Sequence, residues 1–75
     1  MRSRIEILSE ILDICAEGST KKKIITEANL NWNSANKYIE FLVKHGFVEF
    51  EEVFILTEKG RELNERLKSL QNSVL

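Results

Sequence analysis

Three consecutive lysines, Lys21–Lys23, could together bind an anion. They follow Thr20, whose hydroxyl is a common helix N-cap, so the pattern predicts that they occupy the first turn of a helix. Ammonium groups there oppose the helix dipole, at a cost of roughly a few tenths of a kcal/mol each. A bound phosphate would reverse that cost, because the helix N-terminus and the ammonium groups both attract anions. The lysines therefore predict a phosphate-binding surface, with a merely solvated charge run as the alternative.

A second group of polar side chains lies in segment 32–45, for which Asn31 is the predicted N-cap. Asn33, Asn36 and Lys37 fall opposite the apolar arc of this segment, near its start. A helix fits the major groove of B-DNA, asparagine bonds an adenine edge bidentately, and lysine reaches guanine or phosphate. Asparagine is a poor helix former and unusual on an exposed helix, although any surface helix has a polar outer face. The pattern predicts a helix that recognises double-stranded DNA.

The candidate DNA-contacting residues are Lys21, Lys22, Lys23, Asn31, Asn33, Ser34, Asn36 and Lys37.

Residue types that support catalysis or metal binding occur without the partners that these functions need. Cys15 is the single cysteine and lies within an apolar arc, and His45 is the single histidine, at the end of a predicted helix. The sequence contains no recognisable nucleophile–base pair, phosphate-binding loop or pair of carboxylates in a plausible cleft. It therefore predicts a protein that is not an enzyme and binds no metal and no cofactor.

The elements that must position these residues follow from hydrophobic periodicity and capping residues. The predicted elements are helices 3–17, 21–28, 32–45 and 58–73, with a hairpin at 47–56. A short helix, a brief turn and an amphipathic helix form a helix-turn-helix, and the hairpin after it supplies the wing. The predicted fold class is mainly α with a small β-hairpin, a winged helix-turn-helix with a C-terminal helix.

The third predicted helix has one apolar arc. Its members are Trp32, Ala35, Tyr38, Ile39, Leu42 and Val43. Because Trp32 falls on this arc, we expect it to pack in the core with an exposed edge; the alternative is that it stacks on a DNA sugar or base.

The length of 75 residues allows one domain, residues 1–75. A chain this short buries only ~60% of the surface that its unfolded form exposes, so its core is marginal. One cysteine cannot form an internal disulfide, which leaves self-association as the common means of stabilisation. No apolar run approaches the ~20 residues of a membrane span, and no signal-peptide pattern opens the chain. We expect a cytoplasmic, nucleoid-associated protein that does not contact membranes.

The net charge of −1 is unlike that of a typical DNA-binding protein, but the charge is unevenly distributed. Residues 21–45 carry +3, whereas residues 46–60, which include Glu49, Glu51 and Glu52, carry −3. The basic segment favours a DNA-binding face, and the acidic wing should be repelled by phosphates. The acidic wing also supports an alternative, a winged-helix module that mediates protein–protein interaction in a larger assembly and does not bind DNA.

A narrow apolar seam runs along the last predicted helix. Its members are Leu63, Leu67, Leu70 and Val74. The apolar arc of the first helix, in turn, covers about half its circumference, more than a surface helix needs. Both features predict a homodimer that forms through the C-terminal helix. The alternative is a monomer whose last helix covers its first.

Several segments together resemble one known family. They are Ser3–Ile7, the Gly18 turn, Ser19–Ile24, the Ala28-Asn29-Leu30 segment, Tyr38-Ile39 followed by Leu42, and Phe54–Gly60. The sequence resembles the archaeal winged-helix proteins typified by the small Sulfolobus chromatin-associated DNA-binding proteins, over nearly its whole length. The resemblance implies DNA binding without a cofactor, as a transcription regulator or chromatin-associated protein. It also implies dimerisation through an antiparallel coiled coil of C-terminal helices, and DNA contacts at Lys21–Lys23 and on the solvent face of the helix 31–45.

Overall fold

A computed structural model describes residues 2–72 and contains four helices and one hairpin within them. The elements are α1 (Arg4–Cys15), α2 (Lys21–Glu27), α3 (Trp32–Lys44), β1 (Val48–Glu51), β2 (Val53–Leu56) and α4 (Glu58–Asn72). The predicted fold class, mainly α with a small β-hairpin, is confirmed. α1 ends at Cys15 with Ala16 as its C-cap, earlier than the predicted limit at residue 17.

Each helix begins at a side chain that accepts a hydrogen bond from a backbone N–H of the first turn, which otherwise has no partner. The four capping residues are Ser3, Thr20, Asn31 and Thr57. At Ser3 the arrangement is reciprocal, because the Glu6 carboxylate accepts the Ser3 N–H at 3.1 Å. This hydrogen bond from the backbone lowers the pKa of Glu6. Short local signals in the sequence therefore set where the helices start.

The core lies where α1, α2 and α3 meet and where α4 and β1 cover them. Its buried apolar members are Ile11, Leu12, Cys15, Ile24, Ala28, Ala35, Ile39, Leu42, Val48 and Leu67. On α3 the buried positions are spaced by four and three residues, as expected of one helix face.

α4 packs against α1 of the same chain through apolar and polar contacts. Leu67 is 7% exposed and Leu63 is half-buried against the core. The buried Asn64 joins the helices, since its side chain accepts a hydrogen bond from the Ser9 hydroxyl (2.7 Å) and donates one to the Asp13 carboxylate (2.8 Å). These hydrogen bonds fix the position of α4 along α1, because a shift would leave buried polar groups without partners.

This packing concerns the predicted dimer seam on α4, which stays a prediction. Leu63 and Leu67 contact the core of their own domain, where α4 packs on α1. A helix stripe carries no information about whether the same chain or a second chain covers it, so periodicity could not decide between the two alternatives. Leu70 is 52% exposed, and Val74 lies outside the described residues. A dimer seam on α4 would therefore involve the distal end of the helix.

The hairpin is antiparallel, with Glu51 opposite Val53 at its tip. Glu52 between them has φ of 67°, a left-handed conformation that is uncommon for residues other than glycine. Ser19 pairs with β2 near the tip of the hairpin, because Ser19 and Phe54 exchange backbone hydrogen bonds of 2.9 and 2.7 Å. The wing is thereby attached to the segment that leads into α2.

Gly60 lies in the first turn of α4, where the helix approaches the start of the hairpin. A Cβ atom at this position would lie 1.9 Å from the Phe47 carbonyl oxygen and 2.7 Å from Leu56 Cδ1. The same carbonyl accepts the Thr57 N–H at 3.1 Å. Only glycine allows the two backbones to come this close.

Candidate nucleic-acid interface

A tight turn joins α2 to α3 and fixes the angle at which α3 is presented. Ala28 forms the C-cap of α2, and Asn29 has φ of 53°. The Leu30 N–H then donates to the Ile25 carbonyl at 3.0 Å, before Asn31 caps α3. Helix, short turn and helix follow one another as a helix-turn-helix requires.

The three lysines lie in the first turn of α2, which contains no acidic residue. Lys22 and Lys23 are exposed, and Lys21 is half-buried. Lys23 and Glu27 form an exposed ion pair of 3.8 Å, which is long and contributes little to stability. Among the described residues, Lys21 and Lys22 have no carboxylate partner. The positive charge at the start of α2 is thus largely uncompensated.

Trp32 is 58% exposed, so the expectation that it packs in the core is wrong. The buried face of α3 begins at Ala35, one turn after Trp32, and the indole therefore lies beyond the core. The Lys21 ammonium lies 5.2 Å from the centroid of the indole ring, within the range of a cation–π contact. This contact brings the start of α2 beside the start of α3. The helical wheel places Trp32 on the apolar side, but it carries no information on where along that side the core ends.

The remaining predicted residues lie along the first two turns of α3. Asn33 and Lys37 are exposed, whereas Ser34 and Asn36 are half-buried. The Asn31 side-chain oxygen accepts the Ser34 N–H at 2.8 Å, which leaves the Asn31 side-chain NH₂ as the group for an outside ligand. The predicted residues thus lie at the start of α2 and along the first two turns of α3, and the Lys21–Trp32 contact lies between the two groups.

An open groove of about 540 Å³ adjoins this surface, between α1 and α3. Its lining residues are Arg4, Leu8, Ser34, Lys37, Tyr38 and Phe41. Ser34 and Lys37 are among the predicted residues, whereas Arg4 and Tyr38 are not. No signal in the sequence could have found Arg4, because it belongs to a different helix and meets α3 only in the folded chain.

The wing has an acidic surface. Glu49, Glu51 and Glu52 are exposed, as is Phe50, whose ring centroid lies 4.8 Å from that of Phe54. No lysine or arginine occurs between residues 47 and 56. The repulsion between this wing and DNA phosphates stays a prediction.

The other candidate reactive groups have structural contacts. Cys15 is fully buried, and burial raises the pKa of its thiol to about 11, so the thiol is protonated at neutral pH. The exposed His45 ring lies 4.6 Å from the ring centroid of Phe41. Within residues 2–72, no three metal-ligating side chains come together. Across the same residues, no helix is long and apolar enough to cross a membrane.

Three helices with a helix-turn-helix, followed by a hairpin that packs beside them, define a winged helix domain. The chain belongs to the winged helix-turn-helix family, whose profile matches residues 1–74. This assignment confirms the fold class that the sequence predicts.

Two archaeal proteins and one solved structure show which members of this family the chain is similar to. MJ0287, an uncharacterized protein of Methanocaldococcus jannaschii, is 44% identical over 71 residues, which are 92% of this chain and 73% of that protein. MJ0290, an uncharacterized protein of the same organism, is 35% identical over 71 residues, which are 92% of this chain but only 34% of that protein. The crystal structure of Sso10a-2, a DNA-binding protein from Sulfolobus solfataricus, superposes with a TM-score of 0.82 at 28% identity, covering 95% of this chain and 80% of that one. The resemblance to archaeal winged-helix proteins of the Sulfolobus type is confirmed.

Proposed function

We propose that this chain binds double-stranded DNA through the start of α2 and the solvent side of α3. The observation that carries the proposal is the contact of Lys21 with Trp32, at 5.2 Å. This contact supports a single binding surface, because it brings the start of α2, which carries the lysines, beside the start of α3, which carries the asparagines. The similarity to Sso10a-2, a DNA-binding protein, supports the same function.

The residue types on this surface suit different parts of the DNA. Lys21, Lys22 and Lys23 bind phosphates, which supplies affinity for any sequence. Asn33 and Asn36 contact base edges in the major groove, and Lys37 reaches guanine or phosphate. Asn31 and Ser34, at the start of α3, donate hydrogen bonds to the sugar–phosphate backbone of the DNA, as short polar side chains commonly do. Neither a cofactor nor a catalytic step is part of this proposal.

Two cellular roles are consistent with such a surface: a transcription regulator and a chromatin-associated protein, in either case cytoplasmic and associated with the nucleoid. The two roles differ in how much more tightly a preferred site is bound than random DNA. A regulator needs a large ratio, because a genome offers many competing sites. A chromatin protein needs little preference and binds mainly through phosphates.

The test is the binding of a fluorescently labelled random duplex, followed by anisotropy at low and at moderate salt. We expect binding at low salt that weakens steeply as salt rises, because phosphate contacts release counterions. Trp32 is the single tryptophan of the chain, so its emission should change on the same titration. Absence of binding at low salt would contradict the proposal.

That negative result would favour the alternative, a protein–protein interaction module in a larger assembly. The observation on its side is the wing, where Phe50 is 59% exposed between acidic side chains. An exposed aromatic residue is a typical anchor of a protein interface. The wing leaves the surface on α2 and α3 uncovered, so the two functions use different parts of the domain.

We also propose that the chain forms a homodimer through α4, with contacts toward the end of the helix at Leu70, which is 52% exposed. A dimer would present two copies of α3 together, as a palindromic site needs. Sedimentation of the wild type and of a Leu70→Glu variant checks this. We expect a dimer at high micromolar concentration that the glutamate dissociates, and a wild-type monomer under these conditions would rule the dimer out.

A further inference from the structure

The groove between α1 and α3 combines cationic, hydroxyl and apolar groups. Arg4 and Lys37 supply two positive charges, and Ser34 and Tyr38 supply two hydroxyl groups. No carboxylate is among the lining side chains that the structure describes. The groove therefore favours an anion over a cation or a neutral ligand.

Two neighbouring arginines differ in what they contact. Arg2 hydrogen-bonds to Glu10 and to the backbone carbonyls of Ala28 and Asn29, and so ties the residues before α1 to the turn between α2 and α3. Arg4, by contrast, is exposed and has no ion-pair partner in residues 2–72. The side chain of Arg2 is thus taken up by contacts within the domain. The guanidinium of Arg4 remains available for an external anion.

The apolar part of the groove favours a sugar–phosphate backbone over a free phosphate. Leu8 is half-buried, and Phe41 is 42% exposed. A free phosphate makes no use of such side chains, whereas the deoxyribose of a nucleic-acid backbone has an apolar edge next to each phosphate. Arginine, serine and tyrosine side chains are common partners of phosphate and sugar in protein–DNA complexes.

We propose that this groove holds a sugar–phosphate segment of the DNA strand that borders α3, with Arg4 and Tyr38 as additional backbone contacts. The inference rests on the proposed DNA binding, because Ser34 and Lys37 belong to both surfaces. Arg4 forms a bidentate, charge-assisted contact with one phosphate, and Tyr38 donates its hydroxyl to the same strand. The DNA-binding surface therefore spans three helices, α1, α2 and α3.

The experiment compares Arg4→Ala, Arg4→Lys and Tyr38→Phe on a random labelled duplex over a range of salt concentrations. Arg66→Ala is the matched control, since it removes one exposed arginine from α4 and changes the net charge equally. We expect Arg4→Ala to weaken binding about tenfold at low salt, which is the size of effect expected when a hydrogen bond to a charged group is lost. It should also lower the slope of log affinity against log salt by about 0.9, the value for one phosphate contact.

The accompanying variants separate charge from geometry. Arg4→Lys should keep most of the salt slope, because the positive charge stays, and Tyr38→Phe should weaken binding without changing the slope. Thermal unfolding monitored by circular dichroism shows whether each variant is folded. If Arg4→Ala binds as Arg66→Ala does, the groove is not part of the DNA surface while the proposed function stands. If the wild type itself does not bind, both proposals fail together.

Discussion

Gly60→Ala is expected to lower the free energy of unfolding by about 3 kcal/mol or more, the upper range for overpacking in a tightly packed site. The added Cβ would lie 1.9 Å from the Phe47 carbonyl oxygen, and backbone cannot move aside as a flexible side chain can. Either α4 moves away from the hairpin or the hairpin leaves the core, and the hydrogen bond from the Thr57 N–H to the same carbonyl is lost. Domains typically unfold at a cost of about 5–15 kcal/mol, so the variant should lose a large fraction of its stability and unfold at a clearly lower urea concentration.

Urea denaturation followed by circular dichroism measures this effect. Gly46→Ala is the matched control, because Gly46 has φ of 77° but only the flexible Lys59 side chain, 4.0 Å away, near the added Cβ. The control therefore reports the conformational cost alone, about 1–2 kcal/mol. If Gly60→Ala is no more destabilising than Gly46→Ala, the backbone of α4 at Gly60 does not lie against the Phe47 carbonyl.

Replacing Lys21, Lys22 and Lys23 together with alanine is expected to lower the slope of log affinity against log salt by about 2.7, three phosphate contacts at about 0.9 each. Between 50 and 200 mM salt, the wild type should then lose roughly 40-fold more affinity than the variant. The physical reason is that each ammonium group releases condensed counterions when it binds a phosphate. Anisotropy of a labelled random duplex measures both slopes.

Two further variants make this experiment specific. Substituting Arg61, Arg66 and Lys68 of α4 by alanine removes the same net charge from a helix that packs on α1, and it should leave the slope near that of the wild type. Substituting Asn33 and Asn36 by alanine should cost about 1–3 kcal/mol for each base contact on a preferred site and little on random DNA. A lysine variant with an unchanged slope would remove α2 from the DNA-binding surface.

The result of the lysine experiment also has a consequence for the acidic wing. If the lysines supply the phosphate contacts, the protein needs no positive charge on the hairpin. The glutamates of the wing would then limit how closely the hairpin approaches the DNA. The net charge of −1 is consistent with DNA binding only because the charges of opposite sign lie in different elements.

The sequence by itself determined the helices, their order and their beginnings, because these depend on neighbouring residues. Thr20 and Asn31 were recognisable as N-caps from residue type, and both accept the expected backbone hydrogen bonds. The class of fold follows from the same local signals, since helix, turn, helix and hairpin occur in the order of a winged helix. The predicted DNA-contacting residues on α2 and α3 lie within 17 consecutive residues, so local structure was enough to group them.

Only the tertiary structure decided which apolar surfaces are covered and which distant residues meet. Periodicity marked Leu67 and Trp32 as apolar positions, yet packing buries the first against the core of its own domain and leaves the second exposed beside Lys21. Arg4 joins Lys37 across one groove, and Gly60 touches the backbone of Phe47, although neither pair has a shared sequence pattern. The physical reason is that a helix stripe specifies burial but not the surface that provides it. Contacts between elements depend on side-chain volumes and on the angles at which the helices and hairpin pack, which local signals do not specify.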